Sequence, residues 1–397
     1  MSKNVILIAG AGPVGLVSAL VLAKAGVQVE VFERNAVVAE DLRASTFHSP
    51  TLDMLDRLGI ADKLVEQGLA ARYTQQRDRR KGLIAEFDLA LLEGQTKYPF
   101  RLQCEQWKLN ELLVEKLSHF PNVTVHFNSA VESVSQTPTG VSIQVRSCEE
   151  LRTFSGEYLI GADGAWSAVR RSLGIEFEGF TYPERFLVVS TQFAFEEHFD
   201  RLSYVNYVSD PEEWCVMLKV PSLWRVLFPT AAEKSDEYVL SDDFIERRLQ
   251  GLFAQPNHYE ITHRTLYKVH QRVAEKFRVG RVVLAGDAAH INNPLGGMGM
   301  NGGVHDAFNL TEKLIAILHG ADSSLLDRYE RQRRTVVIEY INANTARNKK
   351  TIEERDDSTR DRIHAELRAA AANTDTALAY VRKTSMYDAL ERAESIV

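Results

Sequence analysis

Three glycine-centred segments, far apart in the chain, carry residue types suited to holding phosphate and a redox ring. They are Gly10-Ala11-Gly12-Pro13-Val14-Gly15, Gly161-Ala162-Asp163-Gly164 and Gly286-Asp287-Ala288-Ala289-His290. In the first, Gly10 permits a tight turn, Gly12 lets backbone approach a pyrophosphate, and Gly15 lets the next helix pack closely. Pro13 suits a first helical turn, where its missing N–H costs nothing. Glu33, followed by Arg34, stands where an acidic side chain accepts from ribose hydroxyls. A free ribose there means FAD or NAD rather than NADP. The third segment runs on through Pro294, Gly296, Gly297, Gly299, Met300 and Asn301 into an apolar helical pattern. Glycines ahead of a helix start make an anion site, which a ring that becomes anionic on reduction requires.

Each segment follows a short apolar run. Val5–Ala9, Tyr158–Ile160 and Val282–Ala285 read as buried parallel strands. A helix is expected over Val14–Lys24, stopped by Gly26, then an alternating strand over Val27–Phe32. The pattern changes between 181 and 268. Phe186–Val189, Leu202–Tyr207, Trp214–Leu218 and Trp224–Phe228 read as an antiparallel sheet. Residues 232–255 read as surface helix. The chain is helical from Leu325, with Arg328, Arg331, Arg333 and Arg334 expected on a solvated face, as is the charged stretch 348–361. The fold class expected is α/β (α+β): a discontinuous Rossmann-like dinucleotide domain (1–180 and 269–345), an inserted antiparallel β-sheet substrate domain (181–268), and a C-terminal helical segment (346–397).

Composition narrows the function. The chain has 397 residues, with 45% hydrophobic and 25% charged, ordinary for a globular protein of two to three domains. A net charge of -7 argues against nucleic-acid binding. No apolar run reaches the roughly 18 residues of a spanning helix, and no membrane partner is expected. Cys104, Cys148 and Cys215 lack metal-ligand spacing and read as reduced thiols. A cytoplasmic location is the expectation, with no metal.

The three motifs, in this order, resemble those of the single-component (group A) FAD-dependent aromatic hydroxylases, the fold of p-hydroxybenzoate hydroxylase. The stretches Tyr267–Ala274 and Gly296–Ala307 look like the phenol and hydroxyphenylpropionate hydroxylase branch, although Met298 and His305 stand where glutamine is common and Asn293 where proline is. The resemblance implies that Gly10, Gly12, Pro13, Gly15, Glu33 and Arg34 hold the ADP half of FAD, and that Arg43 lies along the cofactor. Gln106 opens a helix against the flavin, and Asp163 and Gly164 serve both FAD and the reduced nicotinamide. Gly286 and Asp287 take the ribityl chain. Pro294 sits beside the site of oxygen reaction, and Gly297, Gly299, Met300 and Asn301 meet the pyrimidine end of the ring.

The implied activity is hydroxylation of a phenolic or related ring, consuming NADH or NADPH and O2 through a flavin 4a-hydroperoxide. Alternatives are a non-phenolic polycyclic or quinone-precursor substrate, or a non-catalytic flavin protein. A group must assist phenol deprotonation. Tyr267, His270 and Tyr207 are the leading candidates, with Tyr204 and His198 behind them; His48 could sit near the ring or be a satisfied polar residue, and His290 reads as structural or flavin-adjacent. Tyr204 and Tyr207 are expected on opposite faces of one strand. Arg225 and Arg264 are candidates for a substrate carboxylate. The small aromatic substrate and O2 are the expected partners, and a homodimer is one assembly compatible with the family.

Overall fold

The computed structural model describes residues 5–38, 44–148 and 150–397. Its first sheet has the strand order Arg278–Val279, Val282–Leu284, Tyr158–Gly161, Val5–Ala9, Gln28–Phe32, Val123–His126. All neighbours are parallel except the first pair. The strand cores are buried, as a parallel sheet covered on both faces requires. Helices Pro13–Lys24, Gln106–Leu117 and Met298–Leu318 cover one face. A three-stranded antiparallel sheet over 129–156 lies against the strands on the other side. The three glycine motifs therefore emerge at the same C-terminal edge, where ligands of open α/β sheets bind.

A larger, eight-stranded sheet has the order His290–Ile291, Ile261–Ala274, Phe177–Thr191, Leu223–Thr230, Cys215–Val220, Val205–Ser209, Tyr73–Asp78, Gly82–Asp88. The sheet crosses the expected ranges. Residues 73–88, within the range 1–180, form two of its strands. Strands Phe177–Thr191 and Ile261–Ala274 also run straight through the boundaries drawn at 180 and 268. Loops alone are natural boundaries, and these long strands belong to both bodies.

Alternation gives the large sheet two distinct faces. Leu187, Val189, Val208, Met217, Val226 and Phe228 point to an outer core closed by helices Asp236–Val239 and Asp242–Leu252. Phe186, Val205, Tyr207, Trp214, Val216 and Val269 point inward, where they meet Ala71 and Leu295. A short antiparallel sheet of Thr46–Phe47, Arg101–Gln103 and Leu69–Ala71 faces this inner layer.

The C-terminal helices are structural parts of both bodies. Val381 and Ala377 pack with Phe87 and Leu92, and Phe87 stacks on Tyr380 with centroids 3.8 Å apart. Met386, Ala389 and Ala393 join the core of the first sheet. Two expectations of solvation fail here. Arg333 is 1% exposed and pairs with Asp306, because its helix packs along Met298–Leu318. Within 348–361, Lys349 is buried against Glu184 and Glu353, and Arg360 is buried near Asp78.

Candidate active site

The first motif is shaped by backbone contact. A Cβ on Gly10 (φ +98°) would lie 2.4 Å from the Ala162 carbonyl oxygen, and one on Gly15 would lie 2.0 Å from that of Gly10. No side chain fits at either position, so the first and second motifs are held together by bare backbone. Pro13 occupies the first turn of its helix. Glu33 sits at the end of its strand and accepts from the Ala11 N–H at 2.9 Å and from Asn35. It thus fixes the turn as well as standing at the ribose position. Arg34 is exposed beside it, and Arg43 lies outside the described residues.

In the second motif, Asp163 Oδ2 accepts from the amides of Ala168 and Val169, capping the short helix that follows. Asp163 Oδ1 is buried with no hydrogen-bond partner. Gly12 and Gly164 both face open space: a Cβ on either would have no atom within 4 Å. Open space over two glycines and an orphaned buried carboxylate oxygen form a cradle for a polar ligand. Gln106 opens its helix, and its amide bonds to Ala44 O.

The third motif is anchored from behind. Asp306, fully buried, accepts from Gly286 N at 3.0 Å, His290 Nε2 at 2.7 Å and Arg333 Nε at 2.5 Å. Burial acts to raise its pKa, but His290 and Arg333 prevail and hold it below the ordinary carboxylate range. His290 is thus a buried support of the third motif. Asp287 is exposed at the turn. Pro294 is exposed on the loop that leads to Gly297, which starts the long helix in the left-handed conformation. Gly299 and Met300 fall in the first turn, where amides lack helical partners. Asn301 has a different role from the one expected: its side chain is buried and donates to Thr46 O and Gly297 O while accepting from His48 N.

The candidates for substrate chemistry divide by face. Tyr267 packs inward, edge-on to Phe186. Burial raises its pKa, opposed by Arg225, so at neutral pH it is a hydroxyl and not a base. Arg225 is itself buried and donates to Ser45 Oγ at 3.1 Å. Tyr207 also faces inward. Tyr204 packs into the same layer, since it precedes the strand and escapes its alternation. His270 is three residues from Tyr267 on one strand, so it points to the opposite face. It bonds to Thr181 Oγ1 at 2.8 Å, away from the inner layer. His198 stacks on Phe193 and Phe253 at the outer core, and Arg264 pairs with Asp242 there.

Sequence reasoning underrated His48. It is fully buried, and its Nε2 donates to Gly296 O at 2.9 Å, which leaves Nδ1 as a lone-pair acceptor with no partner. Burial, then the charge of Arg101, hold its pKa well below the usual histidine value. A neutral imidazole is thus tied to the loop that carries Pro294. Arg101 and Tyr380 were missed outright. A charged residue inside the apolar run Phe100–Leu102 was a signal for the first; nothing near Tyr380 marked it.

Residues 3–344 match the family model described as "FAD binding domain". The chain is 36% identical over 378 residues to para-nitrophenol 4-monooxygenase of Pseudomonas sp. (strain WBC-3), covering 93% of this chain and 92% of that protein. It is 36% identical to 6-hydroxy-3-succinoylpyridine 3-monooxygenase of Pseudomonas putida, covering 87% and 88%. The crystal structure of p-nitrophenol 4-monooxygenase from Pseudomonas putida DLL-E4 superposes with a TM-score of 0.91 at 34% identity, covering 96% and 98%. With the cradle, the shared edge and these likenesses in agreement, the chain belongs to the FAD-binding family and, within it, to the single-component flavin aromatic hydroxylases.

Proposed function

We propose that this FAD-dependent aromatic monooxygenase hydroxylates a small single-ring phenol or hydroxypyridine, with His48 Nδ1 as the acceptor of the substrate's hydroxyl proton. The observation that carries the reading is the buried, partnerless Nδ1, its tautomer fixed by Gly296 O. FAD, when bound, supplies the redox chemistry, taking two electrons from a reduced nicotinamide and passing one atom of O2 to the ring. Gly10, Gly12, Gly15 and Glu33 would hold its ADP half, Asp163, Gly164 and Asp287 its middle, and the first turn after Gly297 its ring.

The remaining work belongs to the chain's own residues. The inner layer of Phe186, Trp214, Val216 and Leu295 excludes water from the reacting ring. Tyr267 and Tyr207 offer hydroxyls to orient it. His48, neutral because it is buried, accepts the phenol proton as the ring becomes electron-rich. Two relatives that align over most of the chain act, by their names, on a nitrophenol and a hydroxypyridine.

The test is turnover of the purified yellow protein with NADH and with NADPH, using phenols, nitrophenols and hydroxypyridines under isotopically labelled O2. One compound should accelerate nicotinamide oxidation and yield a product with a single labelled oxygen. Peroxide formation alone with every single-ring compound would remove this substrate class.

A further inference from the structure

Arg101 begins the short strand Arg101–Gln103, opposite Ala71 of the inner layer. It is 3% exposed. Its guanidinium makes one hydrogen bond, from Nη2 to the carbonyl oxygen of Thr384 at 3.1 Å, and its buried Nε has no partner. Among the described residues no carboxylate lies within 4.0 Å of it. Arginine cannot shed its proton in a protein. A charge taken out of water without a counter-ion is costly. Other buried cations here meet that cost with carboxylates or with several acceptors: Arg333 has Asp306, Lys349 has Glu184 and Glu353, and Arg360 has Asp78 and Asp357, while Arg77 donates to Gln75 Oε1 and Asp200 O, and Arg170 to Ala288 O and Ala165 O.

The position of this unpaired cation is informative. The antiparallel pairing of Phe47 with Leu102 brings the next residues, His48 and Arg101, opposite one another, and the guanidinium reaches Thr384 at the end of the helix that carries Tyr380. Tyr380 in turn receives a hydrogen bond from Gln76 Nε2 at 3.2 Å, on the strand beside Tyr207. The guanidinium thus lies between the strand that leads into His48 and the helix that carries Tyr380.

We propose that Arg101 is the seat of the substrate's phenolate oxygen, so that the aromatic ring is held as its anion. This rests on the hydroxylase reading above. The hydroxyl proton passes to His48 Nδ1, the O–H bond breaking as N–H forms, and the negative charge left on oxygen becomes the missing partner of Arg101. An opposite charge within about 4–6 Å lowers an acid's pKa by roughly 1–3 units. A phenol on this site ionises at correspondingly lower pH than in solution.

The experiment uses the FAD-loaded protein and 4-nitrophenol, whose phenolate absorbs at longer wavelength than the phenol. Titrating the bound compound against pH should give an ionisation midpoint at least about one unit below that of the free compound. In Arg101→Gln the midpoint should move back toward the free value, and in Arg101→Lys it should stay low. An unshifted midpoint in the unmodified protein overturns the proposal without any variant, which covers a variant that does not fold. A shift that survives in Arg101→Gln overturns it as well. So does a pattern in which Arg101→Gln weakens only ring carboxylates such as benzoate, since the guanidinium would then hold a substituent. Failure of the unmodified protein to bind or turn over any phenol sinks the hydroxylase reading too, whereas turnover with an unshifted midpoint sinks only the role of Arg101.

Discussion

At the scale of single residues, the chemistry depends on which atoms are left without partners. His48 shows this most clearly. Its backbone amide is spent on Asn301 and its Nε2 on Gly296, so one acceptor remains. Gln can keep the bond to Gly296 O, but its amide oxygen is not basic and cannot take up the proton. His48→Gln is therefore expected to lower kcat on a neutral phenol by about 10²-fold at pH 7, the lower end for loss of a general base. A phenol already ionised in solution should lose far less, and the pH–rate profile should shift toward alkaline values. Measuring kcat against pH for one weakly and one strongly acidic phenol decides it. Equal losses for both would make His48 a packing residue. Tyr267 is not expected to behave this way, because burial keeps its hydroxyl protonated.

At the scale of elements, the third motif is only as well placed as the helices behind it. Asp306 ties the turn at Gly286 to His290 and to Arg333 on the next helix. Arg333→Met leaves that buried carboxylate without its guanidinium. The expected cost is about 3–5 kcal/mol, the usual effect of breaking a buried pair from one side. Flavin should also be released at a lower temperature, since the turn carrying Asp287 loses its brace. A thermal melt followed by both flavin fluorescence and far-UV dichroism checks this; an unchanged melt would mean the turn is held elsewhere. These braces explain what could be read from the sequence. The strand and glycine pattern of each motif follows from local sterics, and so the parallel sheet and the cofactor cradle were legible. The burial of Arg333 was not, because an arginine-rich helix looks the same whether or not one of its guanidiniums meets a buried carboxylate on the preceding helix. Nor was the face of His270, which depends on the register of a long strand against its neighbour. The pairing of residues 74–78 with 205–209 was not legible either, because it is a long-range contact.

At the scale of the whole molecule, the N-terminal segment, the long helix after Gly297 and the C-terminal helices are locked together by buried polar groups whose charge state depends on pH. His305 is 1% exposed, bonds to Thr51 Oγ1 at 2.9 Å, and has its pKa pushed down to about 3 by burial, then by Arg333, against Asp306. His48, also buried, shifts the same way. The unfolded chain takes up a proton at each near pH 6.5, while the folded chain does not. Unfolding therefore binds protons below that pH, and stability falls as pH drops from about 6.5 toward 3. The slope is about 1.4 kcal/mol per pH unit for each such histidine. Asp306, held below the carboxylate range, adds to the loss only at pH below about 4. His305→Gln keeps a donor for Thr51 and removes one titrating group. Denaturant unfolding at several pH values between about 6 and 4.5 should show its slope shallower than that of the unmodified chain by about 1.4 kcal/mol per pH unit, with the stability difference between the two proteins becoming constant above about pH 7. Parallel slopes would mean that His305 is already protonated in the fold, and that the contact with Thr51 is made by an imidazolium paired with Asp306.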